Sequence, residues 1–195
     1  GKPSKAVIEL AASLNARQVR VAEHPGVEER AHIQSVVASL PSETSVQCME
    51  SGRLFDRQAL PFEQAALPDS FSAFRRSVEQ VCVVPENRSA PVTLPSWPDA
   101  PRGFPPLKAV CEQSATWQPD NRQGYAYRGG ESEAHARLHD YLWHQQGAQT
   151  YKKTRNGLLG ANFSTRVSPW LARGCLSARQ VYASVKAWEA ENGSN

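Results

Sequence analysis

The sequence predicts a mixed fold: an α/β half, a proline-rich connector and an all-α half. Helix-like and strand-like segments alternate between residues 5 and 48, which is typical of a parallel α/β sheet. Eight of the fourteen prolines lie between Pro85 and Pro119, where no helical period is present. From Gly129 onwards, apolar residues recur at helical spacing. We therefore predict three segments, 1–80, 81–128 and 129–195.

The composition is that of a globular protein with a modest positive charge. The 195 residues are 40% hydrophobic, the net charge is +3, and no apolar run is long enough to span a bilayer. The four cysteines form no C-x-x-C pair, so we expect buried thiols in an intracellular, reducing compartment and no metal site. The chain opens with Gly-Lys-Pro rather than Met, which is consistent with removal of a transit peptide for the chloroplast or mitochondrion.

The first segment contains two helix–strand pairs. We predict helices at 5–14 and 27–40 and strands at 19–21 and 44–48. The inward-facing residues of these helices are expected to be Val7, Leu10, Leu14, Ile33, Val36, Val37 and Leu40. The leading strands of a doubly wound sheet are missing from this pattern. An open half-sheet exposes unpaired strand edges, so we expect either a longer polypeptide or a protein partner that covers the half-sheet.

The middle of the chain is predicted to contain one capped helix and an extended connector. Ser70 caps a helix in which Phe71, Phe74 and Val78 form one face, while Arg75 and Arg76 face solvent. The connector that follows is rich in proline but also apolar, and it is expected to lie across the surface of the helical part.

The last segment is predicted to form helices around an apolar core. Its first helix has Ala134, Leu138, Tyr141 and Leu142 on one face, with Arg137 on another. His135, His139 and His144 lack the spacing of metal ligands and are interpreted as surface residues. The last helix begins with a capping box, Ser177 with Gln180. Its buried stripe is expected to comprise Val181, Val185 and Trp188.

The most informative stretch runs from Tyr151 to Leu176. It places the hydroxyls of Ser164, Thr165 and Ser168, with Arg166, at the start of a short helix that opens with Ser-Pro. Ser168 is predicted to be the N-cap, Pro169 the first helical residue, and Gly174 the stop. Hydroxyls and free N–H groups at a helix start can hold a phosphate or diphosphate. The alternative is an ordinary helix start with a solvated Arg166.

This stretch resembles the flavin-binding segment of the photolyase/cryptochrome family, in particular its cryptochrome-DASH branch. The matching residues are Tyr151, Thr154-Arg155-Asn156, Ser164 to Ala172, Gly174-Cys175, Ser177 and Arg179. Further matches occur at Gly129-Gly130-Glu131 and in the L-P-F…L-P-x-x-F pattern of residues 60–71. The resemblance implies a truncated Rossmann-like N-terminal part, joined by the Pro-rich connector to the start of a photolyase-type helical FAD-binding domain.

The resemblance also implies roles for particular residues. Tyr151 would contact the phosphate–ribityl part of FAD, and Ser164, Thr165, Arg166, Val167 and Ser168 would hold the diphosphate. Arg155 would lie against DNA phosphate. An antenna chromophore is not expected, because Arg20 and Ala22 stand where the family has a tyrosine and a histidine. The segments that form the flavin ring pocket and the electron-transfer chain are not in this sequence, so no catalytic residue is assigned and the chain as it stands is not expected to catalyse repair.

Three functions remain open from the sequence. The first is a cryptochrome-DASH-like flavoprotein whose FAD chemistry is completed elsewhere. The second is a degenerate, non-catalytic structural subunit of a larger, possibly organellar, assembly. The third is a nucleic-acid-binding remnant that uses Arg75, Arg76, Arg155 and Arg166, and it should show steeply salt-dependent DNA binding.

Overall fold

The computed structural model describes residues 3–96, 122–158 and 160–193, together with Pro106, Ala109, Gln118 and Asp120. The chain forms two compact units. Among the described residues, the first unit contains 3–51 and 90–96. The second unit contains 52–89 and, apart from residue 159, 122–193. Strands occur in the first unit, and helices in both. The predicted fold class, α/β followed by helices, is confirmed.

The first unit contains a two-stranded parallel sheet and two helices. Its elements are α1 (Pro3–Ser13), β1 (Gln18–Ala22), α2 (Val27–Ser39) and β2 (Ser45–Met49). The strands pair in parallel with Gln18 opposite Ser45 and Ala22 opposite Met49. These bounds agree with the predicted helices and strands to within a few residues, because each segment carries its own breaker, such as Asn15 after α1 and Pro41 after α2.

The faces predicted for the two helices are partly wrong. In α1 the buried residues are Ser4 and Ala11, whereas Val7 and Leu10 are exposed. In α2 the buried residue is Val36, and Val37 is exposed. Helix α1 packs against α2, and the two buried residues of α1, Ser4 and Ala11, are small. Periodicity locates an apolar face, but it does not decide which neighbour covers that face.

The second unit begins with two short 3₁₀ turns, Arg57–Ala59 and Gln64–Ala66, followed by α3 (Phe71–Val81). The Ser70 hydroxyl accepts a hydrogen bond from the N–H of Ala73 at 3.3 Å, so the predicted cap is confirmed. Val78 is buried, whereas Phe71 at the start of the helix is 75% exposed. Phe71 therefore does not belong to the buried face on which it was predicted to lie with Val78. Arg75 and Arg76 are exposed, as predicted.

The remaining elements of this unit are helical. They are α4 (Glu131–His139), a π-helical turn (Asp140–His144), α5 (Gly147–Thr154), α6 (Ser168–Ala172) and α7 (Ala178–Asn192). The π turn follows α4 without a break and allows Tyr141 and Leu142 both to be buried. The core of the unit comprises Ala134, Leu138, Tyr141, Leu142, Val167, Trp170, Leu176 and Trp188. The predicted apolar face of α4 and the burial of Trp188 are therefore confirmed.

The boundaries of α6 and α7 differ in how well the sequence predicted them. At α7 the capping box is complete: the Ser177 hydroxyl accepts from the N–H of Gln180, and the Gln180 side chain accepts from the N–H of Ser177. At α6 the predicted cap is wrong by one residue, because Val167 is the N-cap and Ser168 is already helical without a side-chain cap. Gly174 ends α6 with a φ of +71°, as predicted.

Residues 52–89 belong to the helical unit because they are tied to α7. The Arg179 guanidinium donates to the carbonyl of Leu54 at 3.2 Å and pairs with Asp56 at 2.7 Å. The predicted segment 1–80 therefore spans residues of both units. The division into 1–80, 81–128 and 129–195 stays a prediction.

The predicted connector lies largely outside the described residues. Its described beginning, residues 82–96, contains no helix or strand. Leu94, which was expected to pack against the helical part, is exposed there.

Candidate functional site

The predicted cofactor residues lie on α5 and on the loop that joins it to α6. The loop turns sharply at two places. Gly160 has a φ of +143° and Arg166 a φ of +56°, a left-handed conformation that is uncommon for a residue with a side chain. At its start, the Cα of Gly157 faces the ring of Phe163 so closely that an added Cβ would lie 2.3 Å from a ring carbon. The loop therefore folds back on itself around Phe163.

Arg137 holds this loop from within the unit. The residue is 4% exposed. Its guanidinium donates to the carbonyls of Ala161 at 2.6 Å, Ser164 at 3.2 Å and Thr165 at 3.0 Å. It also donates to Asp140 and Asn162, both at 3.1 Å. The prediction that Arg137 lies away from the buried face of α4 is wrong, since these contacts cover it.

No local feature of the sequence indicates this role. An arginine between Ala134 and Leu138 is ordinary on an amphipathic helix. Its partners lie 24 to 28 residues further along the chain, and they are mostly backbone carbonyls, which every residue carries. The burial of Arg137 and its contacts can therefore be recognised only from the folded structure of the loop.

Three of the predicted cofactor residues line one cavity. The cavity has a volume of about 330 Å³, which is at the low end for small-molecule sites. Tyr151 comes from α5, and Ser164 and Thr165 come from the loop. The complete lining comprises Tyr141, Leu142, Ala148, Tyr151, Lys152, Ser164, Thr165, Val185, Trp188 and Glu189. Two of the three hydroxyls predicted to hold the diphosphate, those of Ser164 and Thr165, therefore meet in one place with the predicted tyrosine.

The other three predicted residues do not line this cavity. The Arg166 side chain turns back to donate to the carbonyls of Leu158 and Gly160, and its Nε is buried without a hydrogen-bond partner among the described residues. Val167 is 4% exposed in the core. Ser168 is exposed at the start of α6. For these residues the backbone N–H groups, rather than the side chains, are the available donors.

Those backbone donors are free within the described part of the chain. There, the N–H groups of residues 164–168 make no hydrogen bond to another backbone group. Residues 164–166 are half-buried, Val167 is buried and Ser168 is exposed, and N–H groups at the start of a helix have no intrahelical acceptor. Such groups are available to bind an anion.

The cavity also contains a polar atom without a partner. Tyr141 is 2% exposed, and its hydroxyl makes no hydrogen bond to the described residues. Burial raises the pKa of the Tyr141 hydroxyl, the nearby Tyr151 raises it further, and Arg137 lowers it. The group therefore stays neutral at physiological pH.

The charges around the cavity are mixed, with a cationic excess. Lys152 and Glu189 both line it. The carboxylate of Glu189 pairs with Lys186 at 2.7 Å, which also raises the pKa of Lys186. Arg137 lies behind the loop with Asp140 as its carboxylate partner. One acidic group at the cavity is thus compensated by Lys186, and Lys152 remains to attract an anion.

Arg155, predicted to contact DNA, is exposed at the end of α5, where its N–H donates to the carbonyl of Tyr151. It does not line the cavity. Its assignment to nucleic acid stays a prediction.

The cysteine and histidine predictions have separate outcomes. Cys48 is exposed, and Cys82 and Cys175 are half-buried, so the expectation of buried thiols is wrong for these three; Cys111 lies outside the described residues. The predicted surface position of His135, His139 and His144 is confirmed.

In the described part of the chain, no cluster of three or more His, Cys, Asp or Glu side chains could hold a metal ion. Nor is any described helix long and apolar enough to cross a membrane.

The fold is that of the photolyase/cryptochrome class. A cryptochrome from Synechocystis sp. PCC6803 superimposes with a TM-score of 0.89 at 33% sequence identity, over 100% of this chain and 40% of that one. A class III photolyase from Agrobacterium tumefaciens shares the fold with a TM-score of 0.62 at 16% identity. No model of a known protein family matches the chain.

Within that class, the sequence relatives are cryptochrome-DASH proteins. The chain is 34% identical to those of Natronomonas pharaonis and Danio rerio over its full length. An Arabidopsis thaliana relative, 31% identical, is named cryptochrome DASH, chloroplastic/mitochondrial. The chain is therefore a cryptochrome-DASH homologue, and the recognition made from Tyr151 to Leu176 is confirmed. It spans about two fifths of the length of these relatives, 41%, 38% and 34% respectively.

Proposed function

We propose that this chain binds the diphosphate of FAD and belongs to a cryptochrome-DASH flavoprotein. The observation that carries the proposal is the meeting of Tyr151, Ser164 and Thr165 at one cavity, beside residues 164–168. Within the described part of the chain, the N–H groups of these five residues have no backbone acceptor. A diphosphate offers several strong acceptors and negative charge. Hydroxyls, backbone donors and Lys152 complement both properties.

The residues fit this group better than they fit a whole dinucleotide. A cavity of about 330 Å³ accommodates the diphosphate with an adjoining sugar, and the isoalloxazine ring would lie beyond it. Bound flavin supplies light absorption and one-electron transfer. The part of this chain is to bind the diphosphate, orient it and neutralise its charge.

A purely structural role is the second candidate. It is favoured by the exposed apolar side chains of the first unit, Val7, Leu10 and Val37, which a protein partner could cover. Under this reading, the loop would be kept for its packing on Arg137 and the core. The organellar location suggested by the names of the plant relatives is compatible with both candidates.

Titration with FAD separates the two. We expect FAD to bind the wild-type chain measurably more tightly than riboflavin, which has the ring and the ribityl chain but no phosphate. Ser164→Ala/Thr165→Ala should remove most of that preference, because each lost charge-assisted hydrogen bond is worth about 1.5–3 kcal/mol. Ser72→Ala is the control, since this hydroxyl is exposed on α3 and does not line the cavity. Equal affinities for FAD and riboflavin in the wild-type chain would refute the proposal and leave the structural role.

A further inference from the structure

The buried guanidinium of Arg137 contacts the binding loop through several hydrogen bonds. Its side chain is 2% exposed. Of its five hydrogen bonds, three go to loop carbonyls and one to the Asn162 side chain. Four of the five contacts are thus made with residues 161–165. The fifth, to Asp140, anchors the arginine to the helical segment from which it projects.

Burial of the Arg137 guanidinium destabilises the fold unless its N–H donors are hydrogen-bonded. A buried cation pays a large desolvation cost, which paired charge and hydrogen bonds must offset. Asp140 provides the paired charge, and the ring of Tyr125 lies 4.8 Å from the guanidinium carbon, at cation–π distance. The guanidinium is therefore held in a fixed orientation, and the carbonyls that it binds are held with it.

Fixing the carbonyls also fixes the direction of the neighbouring N–H groups. In a trans peptide unit, the C=O of one residue and the N–H of the next point in opposite directions. The carbonyls of Ser164 and Thr165 point towards Arg137. The N–H groups of Thr165 and Arg166 must therefore point away from it, and these are two of the donors without a backbone acceptor.

We propose that Arg137 is the positioning residue of the anion-binding loop: it turns the carbonyls of residues 161–165 inwards so that the N–H groups of Thr165 and Arg166 face a bound diphosphate. This inference rests on the proposed function for the identity of the anion. Arg137 does not line the cavity and acts through the backbone.

An arginine suits this role and a lysine does not. The guanidinium presents five donors in a rigid, planar fork, whereas an ammonium is a point charge with three donors. Arg137→Lys therefore keeps the charge but has too few donors for all five contacts. Arg137→Gln removes the charge as well. The control is Arg179→Gln, which also removes an arginine that binds a carboxylate (Asp56) and a backbone carbonyl (Leu54), but away from the binding loop.

The test is the ratio of the dissociation constants for riboflavin and FAD, measured at a temperature where circular dichroism shows each variant to be folded. Arg137→Gln is expected to weaken FAD binding roughly tenfold or more, by analogy with residues that orient ligands from behind, while riboflavin binding changes little. Arg137→Lys should recover part of the loss, and Arg179→Gln should retain the wild-type ratio. A merely structural role would lower the unfolding temperature without changing this ratio in the folded protein.

Limited trypsin digestion provides a second measurement that needs no flavin. Cleavage after Arg166, relative to cleavage after the exposed Arg173, is expected to rise in Arg137→Lys because the loop is released. If the wild-type chain does not prefer FAD to riboflavin, the proposed function fails, and the digestion alone decides whether Arg137 holds the loop. If the wild-type chain prefers FAD and Arg137→Gln keeps the same preference, the positioning role is overturned. Unchanged cleavage after Arg166 would overturn it as well.

Discussion

Replacing Gly147 with alanine is expected to destabilise the helical unit, although alanine is the better helix former. Gly147 is the first residue of α5 and is buried. A Cβ at this position would lie 2.3 Å from a ring carbon of Tyr141, more than an ångström inside the roughly 3.5 Å at which two carbons rest. Tyr141 is itself fully packed in the core, so its ring has little freedom to move away.

The magnitude follows from two opposing effects. Glycine to alanine in a helix would by itself stabilise by about 0.5–1 kcal/mol. Overpacking a core typically costs about 1–3 kcal/mol, so the net loss should be roughly 1–2 kcal/mol. In a urea titration followed by tryptophan fluorescence, the midpoint should fall by roughly 0.5–1 M, given typical slopes.

The control for this prediction is Gly129→Ala. An added Cβ at Gly129 meets no atom within 4 Å, and this glycine has no positive φ, so its substitution should leave the midpoint unchanged or slightly higher. A midpoint for Gly147→Ala equal to or above that of the wild-type chain would refute the reasoning, because helix propensity would then outweigh the contact with Tyr141.

Three further outcomes follow from the same contacts. Ser177→Ala should lower the free energy of unfolding by about 1 kcal/mol through loss of the capping box. Ser168→Ala should have little effect, since the Ser168 side chain caps no helix. Urea titrations of both variants would show the difference, and equal losses of stability would contradict it. Because burial raises the pKa of Tyr141, the folded state holds that proton more tightly than the unfolded state. Its contribution to stability is thus complete below about pH 10 and lost as the pH rises through the folded-state pKa. Tyr141→Phe should flatten this loss in urea midpoints measured between about pH 9 and 11, and an unchanged slope would count against it. Gly157→Ala should displace Phe163 and weaken FAD binding more than riboflavin binding, and an unaltered preference would show that the loop tolerates the shift.

Local signals in the sequence predicted the local features of the fold well. The caps at Ser70 and Ser177 and the stop at Gly174 depend on residues within a few positions of one another, and all three are present. The cap predicted at Ser168 failed because the helix begins one residue earlier in the hydrogen-bond pattern, where the N–H of Leu171 reaches the carbonyl of Val167. A Ser-Pro pair marks a helix start without fixing its first residue.

Long-range contacts were harder to predict. Val7 and Leu10 have the spacing of a buried face and are exposed, since burial depends on what lies opposite. Arg137 was predicted to face away from the core, yet it binds a loop more than twenty residues away. For the site, the motif identified Tyr151, Ser164 and Thr165, which do meet at one cavity. Hydrophobic periodicity alone could not have identified these residues, because the loop that contains Ser164 and Thr165 has no periodic pattern.

The central claim, that this chain holds a diphosphate, is tested most directly by ³¹P NMR of FAD in the presence of the purified protein. The account predicts that both diphosphate resonances shift or broaden when the wild-type chain is added, and that Ser164→Ala/Thr165→Ala largely abolishes the change. Resonances that stay at their free positions and widths with the wild-type chain in excess would contradict the account.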